Sequence, residues 1–160
     1  MMMNAQAAAL LKEKGFTAAT AESLTGGMIA GSLVDVGGVS EVFCGGFVTY
    51  TNEMKHKLLG VKKKTLRRHG AVSRETVCEM AKGVVEHTGA DYGIAATGIA
   101  GPASDEGKPV GLVYIACFDR RRKWMGVREL HLSGDRQEIR KKTTEKALSL
   151  LCQALNESQP

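Results

Sequence analysis

The stretch Thr20-Ala-Glu-Ser-Leu-Thr-Gly-Gly27 places one serine, Ser23, where a short apolar run gives way to a helical pattern. A serine at such a turn has two uses. It can cap the helix, since Ser is a favoured N-cap. It can also be a nucleophile, because a helix start offers free backbone N–H groups and Gly26 and Gly27 leave them open to a ligand oxyanion.

A serine nucleophile needs a base. The four histidines fall on a short helix (His56), a basic segment (His69), a helix end (His87) and an alternating strand (His131), and no Gly-x-Ser-x-Gly elbow is present. The alternative base is a lysine whose pKa burial has lowered. Val48-Thr-Tyr-Thr-Asn-Glu-Met-Lys55 offers one, with Tyr50 at a strand end and Lys55 in the first turn of the next helix. Taken singly, Lys55 also reads as an exposed surface lysine and Tyr50 as a packed core edge.

Two further segments carry polar chemistry. Ala96-Thr-Gly-Ile-Ala-Gly-Pro102 is a strand end running into a backbone-rich loop. It can cradle a carboxylate, phosphate or amide, or be a plain tight turn. It is neither a Walker A loop nor a dinucleotide fingerprint, because no Gly-Lys-Ser/Thr closes it and no helix follows directly. Ser133-Gly-Asp-Arg136 sets an arginine in a helix's first turn, against the helix dipole. Arg136 there can serve an anionic ligand or pair with Asp135 or Glu138.

These residues need a scaffold. Residues 4–14 read as a helix closed by Gly15, followed by a buried strand to about Ala21 and a helix from Ser23 to Val36 that packs through Gly26, Gly27, Ala30 and Gly31. A strand with Gly45-Gly46 inside it reads as bulged or as closely approached by another backbone. Two short helices end at Gly60 and Gly70, and Ser73 opens a clear amphipathic helix to His87. Three apolar strands follow, the last alternating and so nearer an edge. A long helix with a capping box of Asp135 and Glu138 and a stripe of Ile139, Thr143, Ala147, Leu150, Leu151 and Ala154 ends the chain. Helices alternating with apolar strands predict an α/β sandwich: one mixed sheet with helices on both faces, in a single domain over residues 1–160.

With 160 residues, 43% hydrophobic and 24% charged, the chain has the composition of a globular protein. Its net charge of +5 gathers in Lys62–Lys64, Arg67-Arg68, Arg120–Lys123 and Arg140–Lys142. Only 5% of residues are aromatic and none interleave with these clusters, which argues against a nucleic-acid stacking platform. The clusters read as solvated surface, with a minor case for attracting a small anion. Cys44, Cys78, Cys117 and Cys152 lack metal-ligand spacing and read as buried free thiols of a reducing compartment. No apolar run suits a bilayer and the N-terminus lacks a signal-peptide pattern, so a cytoplasmic protein is expected.

Six segments together, TAESLTGG, GGFVTYTNEMKHKLLGV, GAVSRETVCEMAKG, ATGIAGP, KPVGLVYIA and SGDR, occur in an order and spacing that resemble the competence-damage-inducible protein A (CinA) C-terminal domain family over about Leu10 to Leu155. The resemblance implies a three-layer α/β/α sandwich and a cofactor- and metal-independent serine-lysine amidase. The substrate it implies is nicotinamide mononucleotide, hydrolysed to nicotinate mononucleotide and ammonia. On matching positions, Ser23 looks like the nucleophile, Lys55 the general base and Tyr50 a proton-relay or orienting partner. Thr25, Gly26 and Gly27 would form the oxyanion site, and Thr97, Gly98, Gly101, Pro102 and Arg136 would hold the nucleotide. Leu24 stands where cysteine is common in the family. A stand-alone, homodimeric form is expected. A non-catalytic nucleotide-binding module, an amidase for another small amide, and a nucleic-acid binder with strongly salt-dependent affinity are the rival readings.

Overall fold

The computed structural model describes residues 2–158. Its centre is a five-stranded mixed sheet in the order β2-β1-β3-β4-β5. The strands are β1 (Ala18–Glu22), β2 (Phe43–Val48), β3 (Tyr92–Gly98), β4 (Leu112–Asp119) and β5 (Trp124–His131). β1 pairs in parallel with β2 and β3, and β4 and β5 add antiparallel on the far side. The run of Ala and Ile in β1 and β3 is buried on both faces, as parallel strands under two helical layers require. β5 is an edge strand, in keeping with its alternating pattern. The bulge expected in β2 falls at Cys44, where the register slips between Ala18 and Ala19.

One face is covered by α1 (Met3–Lys14), α2 (Met28–Val34) and α6 (Arg136–Glu157). All six stripe residues of α6 are buried, and its Asp135–Glu138 capping box is formed. The other face is covered by α3 (Asn52–Leu59), α4 (Lys63–His69) and α5 (Arg74–Thr88). Ser73 caps α5 by accepting from the Thr76 N–H.

Three expectations are corrected. The helix expected from Ser23 begins only at Met28, so Ser23 is not its cap. That helix packs through Ile29 and Leu33, while Gly26 and Gly31 are exposed. Cys44 is exposed in edge strand β2 and Cys78 half-buried at the margin of the core under α5; Cys117 and Cys152 are buried as expected.

α5 packs so closely on the end of α3 that Gly83 cannot carry a side chain. A Cβ there would stand 1.9 Å from the Leu59 carbonyl oxygen and 2.9 Å from its carbonyl carbon. Alanine gains about 1 kcal/mol of helix propensity over glycine, but a backbone clash of this depth exceeds it. Gly83→Ala is expected to lower stability by about 2 kcal/mol, read as a reduced urea midpoint.

Candidate active site

The three parallel strands end side by side. Ser23, just past β1, donates its N–H to the Ala96 oxygen of β3 at 3.1 Å, and the Thr49 N–H beyond β2 reaches the Glu22 oxygen at 2.9 Å. After β1 the chain turns to α2 on one face, and after β2 to α3 on the other. A crevice at the carboxyl ends of strands whose following helices part to opposite faces is where open α/β sheets bind ligands.

Lys55 occupies that crevice. It is 1% exposed, which overturns the surface reading. The Thr51 hydroxyl caps α3 through the Met54 N–H, so Lys55 lies in the first turn, directed back toward β1. Its Nζ lies 2.9 Å from Ser23 Oγ and donates to the Thr49 carbonyl oxygen at 2.7 Å. Burial pushes its pKa down from 10.5 to about 8, with the negative charge of Glu106 pulling the other way. A lysine at that value is about a tenth neutral at pH 7. In the neutral form the Thr49 carbonyl still takes one N–H, and the lone pair is left for the Ser23 hydroxyl proton. This is the geometry of a nucleophile and its base. None of the four histidines lines the cleft.

The cleft measures about 130 Å³ and is lined by Ser23, Leu24, Tyr50, Lys55, Thr97, Gly98 and Arg136, together with Ala71, Val72, Ala100 and Asp105. At ~30 Å³ per liquid water it holds about four waters, enough for a carboxamide and part of its ring. Larger hollows of about 600 Å³ beside α1, α2 and α6, and about 690 Å³ between α3 and α4, contain no nucleophile–base pair.

Tyr50 lies beyond the end of β2 and is 60% exposed, so it is not a packed core edge. Its hydroxyl accepts from Arg136 Nη2 at 2.8 Å, not from Lys55 or Ser23. Arg136 Nη1 donates to the Gly101 oxygen at 2.6 Å. Arg136 therefore ties Tyr50 to the 97–102 loop, and Asp135 and Glu138, occupied with each other in the capping box, are not its partners. With five N–H donors in a guanidinium, Arg136 keeps capacity for an anion at the cleft mouth. Thr97 Oγ1 is committed to the Ala71 oxygen at 2.8 Å. Gly98 lies against Val113, where a Cβ would come within 2.6 Å of that side chain. Pro102 does not line the cleft, and Gly101 reaches it only through its carbonyl bond to Arg136.

The expected oxyanion donors need correction. The Gly27 N–H points to the buried Glu22 carboxylate at 3.2 Å and the Gly26 N–H to the Ser23 oxygen at 3.0 Å. The Thr25 hydroxyl also goes to Glu22. Among the described residues, the N–H groups of Leu24 and Thr25 make no protein hydrogen bond, although these residues are 4% and 0% exposed. Buried N–H groups almost always have partners. Of the two, Leu24 lines the cleft and Thr25 does not, so the Leu24 N–H is the one placed for an acceptor from outside the protein. The part played by Glu22 and Arg140 was missed in the sequence. Arg140 stands four residues, one helical turn, after Arg136 and so shares its face; that spacing was the available signal.

A three-layer α/β/α sandwich with a buried serine–lysine pair at its strand ends defines the class of protein. The family model of the CinA C-terminal domain matches residues 1–155. The chain belongs to that family. It is 48% identical over 147 residues to the "CinA-like protein" of Kosmotoga olearia, covering 91% of this chain and 35% of that relative. The chain thus spans about a third of the length of the curated relatives it matches. The crystal structure of competence damage-inducible protein A from Klebsiella pneumoniae superposes with a TM-score of 0.94 at 34% identity, covering 98% of this chain and 97% of that one. A competence/damage inducible protein from Agrobacterium tumefaciens superposes with a TM-score of 0.91 at 41% identity, covering 97% and 96%. Among the described residues, no helix is long and apolar enough to cross a membrane.

Proposed function

We infer that the chain is a serine–lysine amidohydrolase whose substrate is the carboxamide of nicotinamide mononucleotide, released as nicotinate mononucleotide and ammonia. The observation that carries this reading is the 2.9 Å contact between Ser23 Oγ and a fully buried lysine of lowered pKa. Membership of the CinA family and the free capacity of Arg136 at the cleft mouth support a phosphorylated substrate.

In the mechanism, neutral Lys55 takes the Ser23 hydroxyl proton as Oγ bonds to the amide carbon. The Leu24 N–H receives the resulting oxyanion, a contribution of about 3 kcal/mol for a well-placed donor. The C–N bond breaks as Lys55 returns its proton to the leaving nitrogen, which departs as ammonia. A water then attacks the Ser23 ester with Lys55 again as base, freeing the carboxylate and restoring the hydroxyl. Tyr50 and Arg136 orient the substrate at the rim. The carboxamide enters the cleft and the phosphate remains outside, where the positive charge is.

A pH profile with nicotinamide mononucleotide tests this reading. Because the base must be neutral, kcat/KM is expected to rise about tenfold per pH unit at low pH and to level off above a midpoint near 8. A profile flat from pH 6 to 9 contradicts a lysine base. A non-catalytic binding module predicts saturable binding with no turnover at any pH.

A further inference from the structure

We propose that Arg140 and Glu22 are positioning residues that clamp the turn after Ser23 in the form that offers the Leu24 N–H to an oxyanion. The proposal rests on the serine–lysine reading above. It assigns functions to two charged residues that touch neither the cleft nor the reacting atoms.

A trans peptide sends its C=O and the following N–H in opposite directions. Arg140, reaching from α6, donates from Nε to the Leu24 oxygen at 2.8 Å and from Nη2 to the Thr25 oxygen at 3.2 Å. Turning the Leu24 carbonyl toward α6 turns the Thr25 N–H, in the same plane, away from it. Turning the Thr25 carbonyl the same way directs the Gly26 N–H inward, where it closes on the Ser23 oxygen. With that carbonyl engaged, the Leu24 N–H in its plane is directed the other way. One guanidinium fork, bidentate on two successive carbonyls, with the Met28 N–H joining it on the Thr25 oxygen at 3.0 Å, fixes the orientation of the successive planes. The guanidinium packs hard against the turn: at Gly26, where φ is +59°, a Cβ would stand 3.1 Å from Arg140 Nη2.

Glu22 acts from the other side. Its carboxylate is 1% exposed. Oε1 accepts from the Thr25 hydroxyl at 2.6 Å, the Gly27 N–H at 3.2 Å and the Ile29 N–H at 2.9 Å, and Oε2 accepts from the Ala30 N–H at 2.9 Å. These four bonds satisfy a charge that could not otherwise be buried. They also withdraw the Gly27, Ile29 and Ala30 N–H groups at the start of α2 from an anion, and the Met28 N–H is taken by the Thr25 oxygen at 3.0 Å. Thr25 is held three times, by its hydroxyl to Glu22 and by its carbonyl to Arg140 and to the Met28 N–H. The only N–H groups of the turn left without a protein partner, among the described residues, are the two nearest the nucleophile.

The test compares wild type with Arg140→Ala, Arg140→Lys and Glu22→Gln. Three quantities are read: kcat and KM on nicotinamide mononucleotide, the rate at which a fluorophosphonate labels Ser23, and the thermal midpoint. Arg140→Ala is expected to lose about 10²-fold in kcat and in labelling rate, the scale of one displaced oxyanion donor. Its KM and its kinetic midpoint near pH 8 should stay put, since neither Arg136 nor Lys55 is touched. Lysine can reach one carbonyl but cannot fork across two, so Arg140→Lys should restore only part of the loss. Glu22→Gln keeps the Oε1 acceptor, so it should remain folded while losing rate at unchanged KM. Wild-type kcat and labelling in Arg140→Ala would overturn the proposal. So would a loss of rate no larger than the loss of folded protein, which assigns Arg140 to stability alone. Wild type that is labelled at Ser23 yet releases no ammonia sinks the amidase reading separately, and the labelling rates of the variants then decide the clamp. Wild type that does neither overturns both.

Discussion

Ser23→Ala is expected to abolish amide hydrolysis, with a fall in kcat of about 10⁵-fold, while substrate affinity and fold survive. Removing a nucleophile deletes the covalent route, and what remains comes from binding and the oxyanion donors alone. The structure explains why the fold should tolerate it. Ser23 is not a helix cap, because α2 begins at Met28 under the Glu22 carboxylate. Its hydroxyl has a single partner, Lys55 Nζ. One hydrogen bond of this kind is worth about 1 kcal/mol. Titration of the variant with nicotinate mononucleotide should therefore give a Kd within about threefold of wild type. A variant that keeps more than a hundredth of the wild-type rate would remove Ser23 from the chemistry.

Lys55→Met is expected to abolish activity, by about 10⁴-fold, and at the same time to stabilise the protein. A lysine held at about 8 in the fold and 10.5 when unfolded makes the charged side chain a burden of about 3 kcal/mol at neutral pH. Methionine has similar length and no charge. It forfeits the bonds to Ser23 and Thr49, about 1 kcal/mol each, so a gain of about 1 kcal/mol at pH 7 is expected. The pH dependence carries the proof. Below pH 8 the lysine is charged in both states and its full cost is present. Between 8 and 10.5 the folded protein sheds the proton that the unfolded chain keeps, so wild type gains stability and the advantage of methionine shrinks. Urea unfolding at pH 7 and pH 10 measures both. A methionine variant less stable than wild type at pH 7 would mean that Lys55 is held for structure.

Which parts of this were legible beforehand follows from what a linear sequence encodes. The amphipathic stripes of α5 and α6, the Ser73 cap and the Asp135–Glu138 box are local, set by neighbours within one helical turn, and the structure has them where the pattern puts them. The start of α2 is not legible locally because its cap comes from Glu22, several residues upstream and outside the usual cap position. Tyr50 and Arg136 were both singled out, but their bond spans 86 residues and no periodicity encodes it. Lys55 looks like any surface lysine in composition. Only the sheet, by laying the ends of β1 and β2 side by side, buries it. Arg140 passed for solvated charge because a run of basic residues hides the one that turns inward.

Amide hydrolysis by the proposed Ser23–Lys55 pair is tested by the release of ammonia and nicotinate mononucleotide from nicotinamide mononucleotide by the purified protein. The expected result is saturable release of both in equal amounts by wild type, absent from Ser23→Ala and Lys55→Met proteins that remain folded. Saturable binding of the nucleotide without release, or release that survives either substitution, would contradict the account.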